Sequence, residues 1–292
     1  MTNSNKDMWS QWLLHRRFGG DKTAMQEALT KYLYPWRDKI LSHANLGEGE
    51  KLLDVGCGDG LIAFGALEKV DTSRVIFSDI SQDLLDHSQS LARETNLLER
   101  CQFLNASADD LSSITDATID VVTTRSVLIY VSAKQQAFNE FHRVLKPGGR
   151  LSIFEPINRF AFPEPPDRFL GYNMEPIMEI AGKVEALYQS IQPPDTDPMT
   201  DFDERDLVRF AEGAGFKEIR LELQIEVKPS ESGDWERLMR SAGNPKIPSI
   251  EEALHQALSP EEMETFVNYL RPLVETKQGV HRSAIAYLWA VK

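Results

Sequence analysis

Cysteine is scarce in this 292-residue chain: only Cys57 and Cys101 occur, and they form no Cys-x-x-Cys pair. Zinc-ribbon and dithiol redox motifs are thereby excluded. The six histidines are scattered, with no His-x-His or His-x-x-x-His spacing, so no protein-held metal is expected. No apolar run approaches the ~20 residues of a membrane-spanning helix. The opening stretch MTNSNKDMWSQWLLHRRFGG has neither a long apolar segment nor a small-residue cleavage site, and a cytoplasmic protein is the expectation. Positive charge is short as well: 32 Lys and Arg face 45 Asp and Glu, a formal net charge of −13. Such a surface repels phosphate backbones. The densest basic groups, Arg16-Arg17 and Arg143–Lys146, do not amount to a nucleic-acid arm. A small molecule, not a polynucleotide, is the expected partner.

What is present is a rhythm. Residues 51–155 alternate strand-like and helix-like runs: strands KLLDV (51–55), RVIFS (74–78), CQFLN (101–105), IDVVTT (119–124) and RLSIFE (150–155), with helices over 60–70, 81–95 and 133–145. The last helix runs into KPGG, a stop signal. This spacing predicts βαβ units, a parallel sheet and right-handed crossovers. Ahead of it, residues 1–47 read as an aromatic-rich helical cap. Trp9, Trp12 and Leu13 share one helical face there, as do Met25, Leu29, Leu33 and Trp36.

After residue 155 the rhythm breaks at the proline-rich EPINRFAFPEPPDRF and IQPPDTDPMT, with a helix predicted over 173–191 between them. It resumes with a helix at DERDLVRFAEGAGF and a strand over 217–227. A second break, 228–279, contains helices around 250–258 and 260–276, and HRSAIAYLWAVK closes the chain as a strand. The expected organisation is a cap (1–47), a core (48–156), an insertion or lid (157–202), a core helix and strand (203–227), a helical insertion (228–280) and a final core strand (281–292).

LLDVGCGDG, residues 52–60, sets three glycines at alternate positions after a buried strand: Gly56, Gly58 and Gly60. A dinucleotide loop, Gly-x-Gly-x-x-Gly, needs glycine at 61, where Leu61 stands. A pyrophosphate needs bare amides at a helix N-terminus, which Asp54, two residues before the first glycine, opposes. No Gly-Lys-Ser/Thr follows, so this is no Walker A loop. The pattern suits a nucleoside without phosphates but with an amino-acid tail, such as S-adenosylmethionine. Glycines admit close backbone approach, and Asp54 is an acid that can help hold the cationic tail. Asp79 lies 19 residues after Gly60, at the end of the second strand, placed to accept both ribose hydroxyls. Asp109, after the third strand, is placed to accept the adenine amine. All three acids fall on the edge where open α/β sheets bind ligands. Against this, an Asp at a strand end often serves only as a helix N-cap.

These stretches, together with IDVVTTRSVLIYV and RVLKPGGRLSIFEP, resemble the motifs of class I S-adenosylmethionine-dependent methyltransferases, nearest to the small-molecule enzymes of ubiquinone and menaquinone biosynthesis. The resemblance covers about residues 50–156 and, more loosely, 203–227 and 281–291. It implies a Rossmann-like α/β fold whose seven-stranded sheet has the order 3-2-1-4-5-7-6, with strand seven antiparallel. It also implies a cofactor-binding set of Asp54, Gly56, Cys57, Gly58, Gly60, Asp79, Ile80, Ala108, Asp109 and Arg125, with S-adenosylhomocysteine as product and no metal.

Substrate classes can then be subtracted. Enzymes that methylate exocyclic or amide nitrogens carry an Asn/Asp-Pro-Pro-aromatic motif after strand four, where this chain reads TTRSVL. Catechol-type enzymes place metal-binding carboxylates near that point, where Arg125 stands. Arsenite methyltransferases use several cysteines. What remains is a small, partly apolar acceptor methylated at O, N or C, with Trp12, His15, Tyr34, Tyr130 and Tyr172 as candidate binding residues. Methyl transfer from a sulfonium needs a base only where the nucleophile holds its proton. His281, at the start of an antiparallel strand seven, reaches the ligand edge and is the first candidate; Glu155, at the end of strand five, is the second, unless it anchors the loop that follows. Arg125 could pair with an acceptor carboxylate or a nearby acid, and Arg16 and Arg17 could face the methionine carboxylate. The readings from other classes are a non-catalytic S-adenosylmethionine-binding regulatory module and an NAD-type oxidoreductase.

Overall fold

The computed structural model describes residues 7–292. Seven strands form one sheet: β1 (Lys51–Val55), β2 (Arg74–Asp79), β3 (Cys101–Asn105), β4 (Ile119–Arg125), β5 (Leu145–Pro156), β6 (Lys217–Pro229) and β7 (Val280–Val291). Their order is β3-β2-β1-β4-β5-β7-β6, and β7 runs antiparallel to both β5 and β6. This is the order and the reversal that the resemblance to class I methyltransferases implies. Central strand β1 is apolar and buried on both faces, as a strand between helix layers must be. Leu52 serves one core together with Ile40, Ala63, Ala66, Phe77 and Leu85. Leu53 serves the opposite one with Val122, Phe138, Phe141 and Leu207.

The first core is closed by α3 (Tyr34–Ala44), α4 (Leu61–Lys69) and α5 (Gln82–Glu94), the second by α6 (Lys134–Val144) and α8 (Glu204–Ala214). At the N-terminus, α1 (Met8–Gln11) runs into a π-helical turn over Trp12–Arg16, and α2 (Lys22–Ala28) into another over Leu29–Leu33. Such wide turns re-aim side chains, and they recur at functional sites.

β5 outruns its expected 150–155 by the widest margin. β5 begins at Leu145, because Gly148 N–H donates to the Lys292 carbonyl (3.0 Å) and Lys292 N–H to that of Gly149 (2.9 Å). KPGG is thus stitched to the end of the chain. β6 and β7 pair along their whole lengths, but β5 pairs with β7 only over Ile285–Val291. The remaining halves project past the sheet as a two-stranded arm. On that arm sit the segments 157–202 and 228–280, expected as separate insertions, which share one apolar core. Phe169 and Val184 from the first meet Trp235, Leu254, Phe266 and Leu270 from the second. Besides α7 (Met178–Ile191), α10 (Ile250–Ala257) and α11 (Pro260–Glu275), this lid contains a short helix that the sequence reading lacks, α9 (Trp235–Arg240). No helix among the described residues is long and apolar enough to cross a membrane.

Candidate active site

The glycine loop leaves β1 in a left-handed conformation at Gly56 (φ +66°), Gly58 (φ +57°) and Gly60 (φ +84°). A Cβ on Gly56 would stand 2.2 Å from Cγ2 of Val127. The loop is tied down by Cys57 N–H donating to the Ser78 carbonyl (2.9 Å) and by Gly58 N–H donating to Asp79 Oδ2 (2.8 Å). The other Asp79 oxygen accepts from Ser81 N–H (2.9 Å). Asp79 is not the cap of α5; the Ser81 hydroxyl is, accepting from Leu84 N–H. A carboxylate has about four acceptor positions, so Asp79 keeps two for a ligand. Burial holds its pKa above the ordinary range, and the amides it accepts from oppose that shift.

A cavity of about 360 Å³ opens over the sheet edge, lined by Gly56, Gly58, Asp79, Ile80, Ala108, Asp109 and Arg125. The cap closes it with Trp9, Trp12, Leu13 and Arg17, and Tyr130 joins from the loop after β4. Asp109 also accepts a hydrogen bond from the Ser107 hydroxyl. Three members of the expected set stand back from this cavity. Asp54 is fully buried, accepting from Thr123 Oγ1 (2.9 Å) and Ala63 N–H (3.2 Å), with burial pushing its pKa up to about 7. It therefore braces the start of α4 under the loop and does not face the cofactor's amino-acid tail. Cys57 is buried and its thiol pKa raised by burial. Gly60 caps α4 against the Phe64 ring.

A second, larger cavity of about 830 Å³ shares the wall formed by Arg17, Arg125 and Ser126. Trp36, Phe154, Ile157 and Phe162 give it an apolar side; Lys228, Glu226, His281 and Arg282 come from the β6–β7 arm. His281 thus reaches the ligand edge as expected of an antiparallel strand seven. Glu155 does not line either cavity. Its Oε1 accepts from Val127 N–H (2.9 Å) and Leu128 N–H (3.0 Å), its Oε2 from Ile129 N–H (3.4 Å). Burial pushes it up to about 7. The geometry corrects its candidacy as a base: it anchors the loop after β4, against which Gly56 packs.

Among the candidate acceptor residues, Trp12 and Tyr130 line the first cavity. Trp12 Nε1 donates to the Ala242 carbonyl (2.9 Å), tying cap to lid, and Tyr130 lies edge-on to Trp9 at 4.8 Å. The others stand elsewhere. His15 is exposed, Tyr34 is exposed beneath the Arg37 guanidinium, and Tyr172 is buried in the lid core, bonding Ser230 Oγ at 3.3 Å. Sequence reasoning missed Ser126, Asn158, Lys228 and Arg282 as cavity residues. Only Ser126 left a local trace, a positive φ of 57°; the rest come from distant segments with no shared motif.

Arg17 and Arg125 define the wall between the cavities. The Arg17 guanidinium lies 5.5 Å from the Trp12 ring centroid and 5.2 Å from that of Phe18. Burial, and then the neighbouring Arg125 charge, push its pKa down to about 10.

The profile of the ubiE/COQ5 methyltransferase family matches residues 27–224. A ubiquinone/menaquinone biosynthesis C-methyltransferase UbiE of Cereibacter sphaeroides is 30% identical over 149 residues, 49% of this chain and 57% of that protein. An uncharacterized methyltransferase of Schizosaccharomyces pombe is 37% identical over 105 residues, 34% of this chain and 37% of that one. The chain therefore spans about half the length, or less, of these curated relatives. In architecture it is similar to geranyl diphosphate C-methyltransferase from Streptomyces coelicolor, with a TM-score of 0.54 at 15% identity over 94% of this chain and 87% of that one. It is equally similar to the YcgJ protein of Bacillus subtilis, with a TM-score of 0.54 at 13% identity over 89% and 98%. At these identities the likeness concerns the fold alone.

Proposed function

We propose, since this chain belongs to the ubiE/COQ5 methyltransferase family, that it moves the methyl group of S-adenosylmethionine to an O, N or C atom of a small, partly apolar acceptor. The observation that carries this is the pair of cavities divided by one wall, at Arg17, Arg125 and Ser126. When bound, S-adenosylmethionine supplies a methyl group activated by its sulfonium. The residues present fit it: Gly56 and Gly58 leave the loop bare on the cavity side, and Asp79 has acceptor positions free for the ribose. Ile80 and Ala108 flank the adenine side, where Asp109 can accept from the exocyclic amine.

The protein's contribution is alignment and exclusion of water. Trp9, Trp12 and Leu13 lay the cap over the cofactor, and the Trp12–Ala242 bond closes cap on lid. Where the acceptor's nucleophile carries a proton, His281 is the group in the second cavity that takes it. For such an acceptor, His281→Ala slows turnover about 10²-fold or more and alters the pH–rate profile; an unchanged profile removes His281 from this role. Isothermal titration tests the whole reading. S-adenosylmethionine binds and NAD does not, and failure to bind S-adenosylmethionine at millimolar concentration overturns it.

A further inference from the structure

We propose that the acceptor carries an oxyanion, a carboxylate or a phosphate, received by the Arg17–Arg125 pair; this rests on the methyl-transfer reading above. Both guanidinium groups line both cavities. Arg17 comes from the cap directly after the π-helical turn, and Arg125 from the C-terminal end of β4. Neither guanidinium makes a hydrogen bond or ion pair to any described residue, and that of Arg17 rests only on the Trp12 and Phe18 rings. Elsewhere the structure treats its half-buried arginines differently. Arg143 pairs with Glu140 and Asp116, Arg150 with Glu50, and Arg37 with Asp38. In a chain with a formal charge of −13, carboxylates are plentiful, yet none forms an ion pair with these two; Asp59 acts on Arg17, and Arg125 on the buried Asp54, from beyond salt-bridge distance.

The charges around the larger cavity agree. Glu226 and Glu231 are each 3.0 Å from Lys228 Nζ, and Glu231 also meets Lys31. The acids there are matched, leaving Arg17, Arg125 and Arg282 in surplus. Two like charges facing one wall repel each other and favour an anion between them. A guanidinium is a planar fork that takes a carboxylate or phosphate bidentately. The methionine carboxylate of the cofactor engages one fork. The second fork, with the larger cavity on its far side, remains for the acceptor, whose apolar body rests on Trp36, Phe154 and Ile157.

The test uses the full chain saturated with S-adenosylhomocysteine, titrated calorimetrically with benzoate, phenyl phosphate and benzyl alcohol. We expect benzoate or phenyl phosphate to bind at least tenfold more tightly than benzyl alcohol, the stronger of the two identifying the oxyanion. Raising NaCl from 50 to 500 mM narrows that gap. Either Arg17→Gln or Arg125→Gln, whichever removes the fork that serves the acceptor, abolishes it. Equal binding of all three probes by the wild-type protein, or binding of none, overturns the proposal, whatever the folding of the variant. So does a result in which Arg17→Gln and Arg125→Gln each weaken S-adenosylhomocysteine more than tenfold and leave the anion preference intact, since both forks then serve the cofactor. Absence of S-adenosylhomocysteine binding is a separate failure, that of the methyl-transfer reading.

Discussion

At the sheet edge, the proposed cofactor cavity is floored by residues at or just after the C-terminal ends of β1, β2, β3 and β4, and much of its frame is backbone. Gly58 and Ser81 amides converge on Asp79, and three amides converge on Glu155. The lid is built the other way. Segments far apart in the chain meet around Phe169, Trp235, Phe266 and Leu270, and its cavity residues are side chains brought in by an arm of two long strands. The edge constrains backbone conformation tightly at single positions. The lid needs only apolar volume and accepts many sequences that supply it. Under the proposed function, one region fixes the donor and the other selects the acceptor.

That separation makes graded claims. Gly56→Ala should have the largest effect. A Cβ there meets Val127 at 2.2 Å in a left-handed conformation, costing roughly 2–5 kcal/mol from overpacking and backbone strain together. S-adenosylmethionine affinity by titration calorimetry falls roughly 30–5,000-fold; near-wild-type binding would show that the loop is not the cradle. Asp79→Ala comes next. It leaves two amides and the ribose unpaired and weakens binding by about 1–3 kcal/mol, and an unchanged Kd would confine Asp79 to holding the loop.

Glu155→Gln acts on stability. It disturbs three buried backbone hydrogen bonds and costs about 1–3 kcal/mol, lowering Tm by roughly 2–10 °C. It also reports on pH. Asp54 and Glu155 have folded-state pKa values raised by burial to about 7, above unfolded values of about 4. The folded state thus binds more protons across that window, and stability declines as pH rises from about 4 to about 7. Thermal melts across this range should show the decline in the wild type and a shallower one in Glu155→Gln; equal slopes would remove Glu155 as a contributor. The smallest expected effect on the cofactor is that of Gly171→Ala. Its Cβ would stand 2.1 Å from the Val280 carbonyl oxygen, where the lid's short hairpin of Arg168–Phe169 and Tyr172–Asn173 meets β7. S-adenosylmethionine affinity stays within about threefold while acceptor turnover drops. A tenfold loss of affinity would mean that lid and edge are one unit.

The same contrast explains what could be read in advance. Gly56, Gly58, Asp79 and Asp109 line the sheet-edge cavity, a placement that local conformation and strand position announce. Leu61, where a dinucleotide loop has glycine, was enough to set aside a pyrophosphate. Asp54 was legible as an acid near the loop but not in its orientation, because Thr123 and Ala63, which capture it, lie on neighbouring elements. Glu155 could be read as a base or as the anchor of the loop that follows it, but the three amides that converge on it belong to the loop after β4. His15, Tyr34 and Tyr172 were plausible by residue type alone, but type does not tell which way a side chain faces.

Periodicity, glycine placement and acids at strand ends are local properties, and they point to the parallel sheet and to the proposed donor, whereas the strand order followed from the resemblance to class I methyltransferases. The partition into two cavities, the shared core of the two insertions and the unpaired cations at the wall depend on contacts between residues such as Arg17 and Arg125, or Trp12 and Ala242. No local rule links such distant positions. Only packing brings them together, and the acceptor's half of the site is made almost entirely of them.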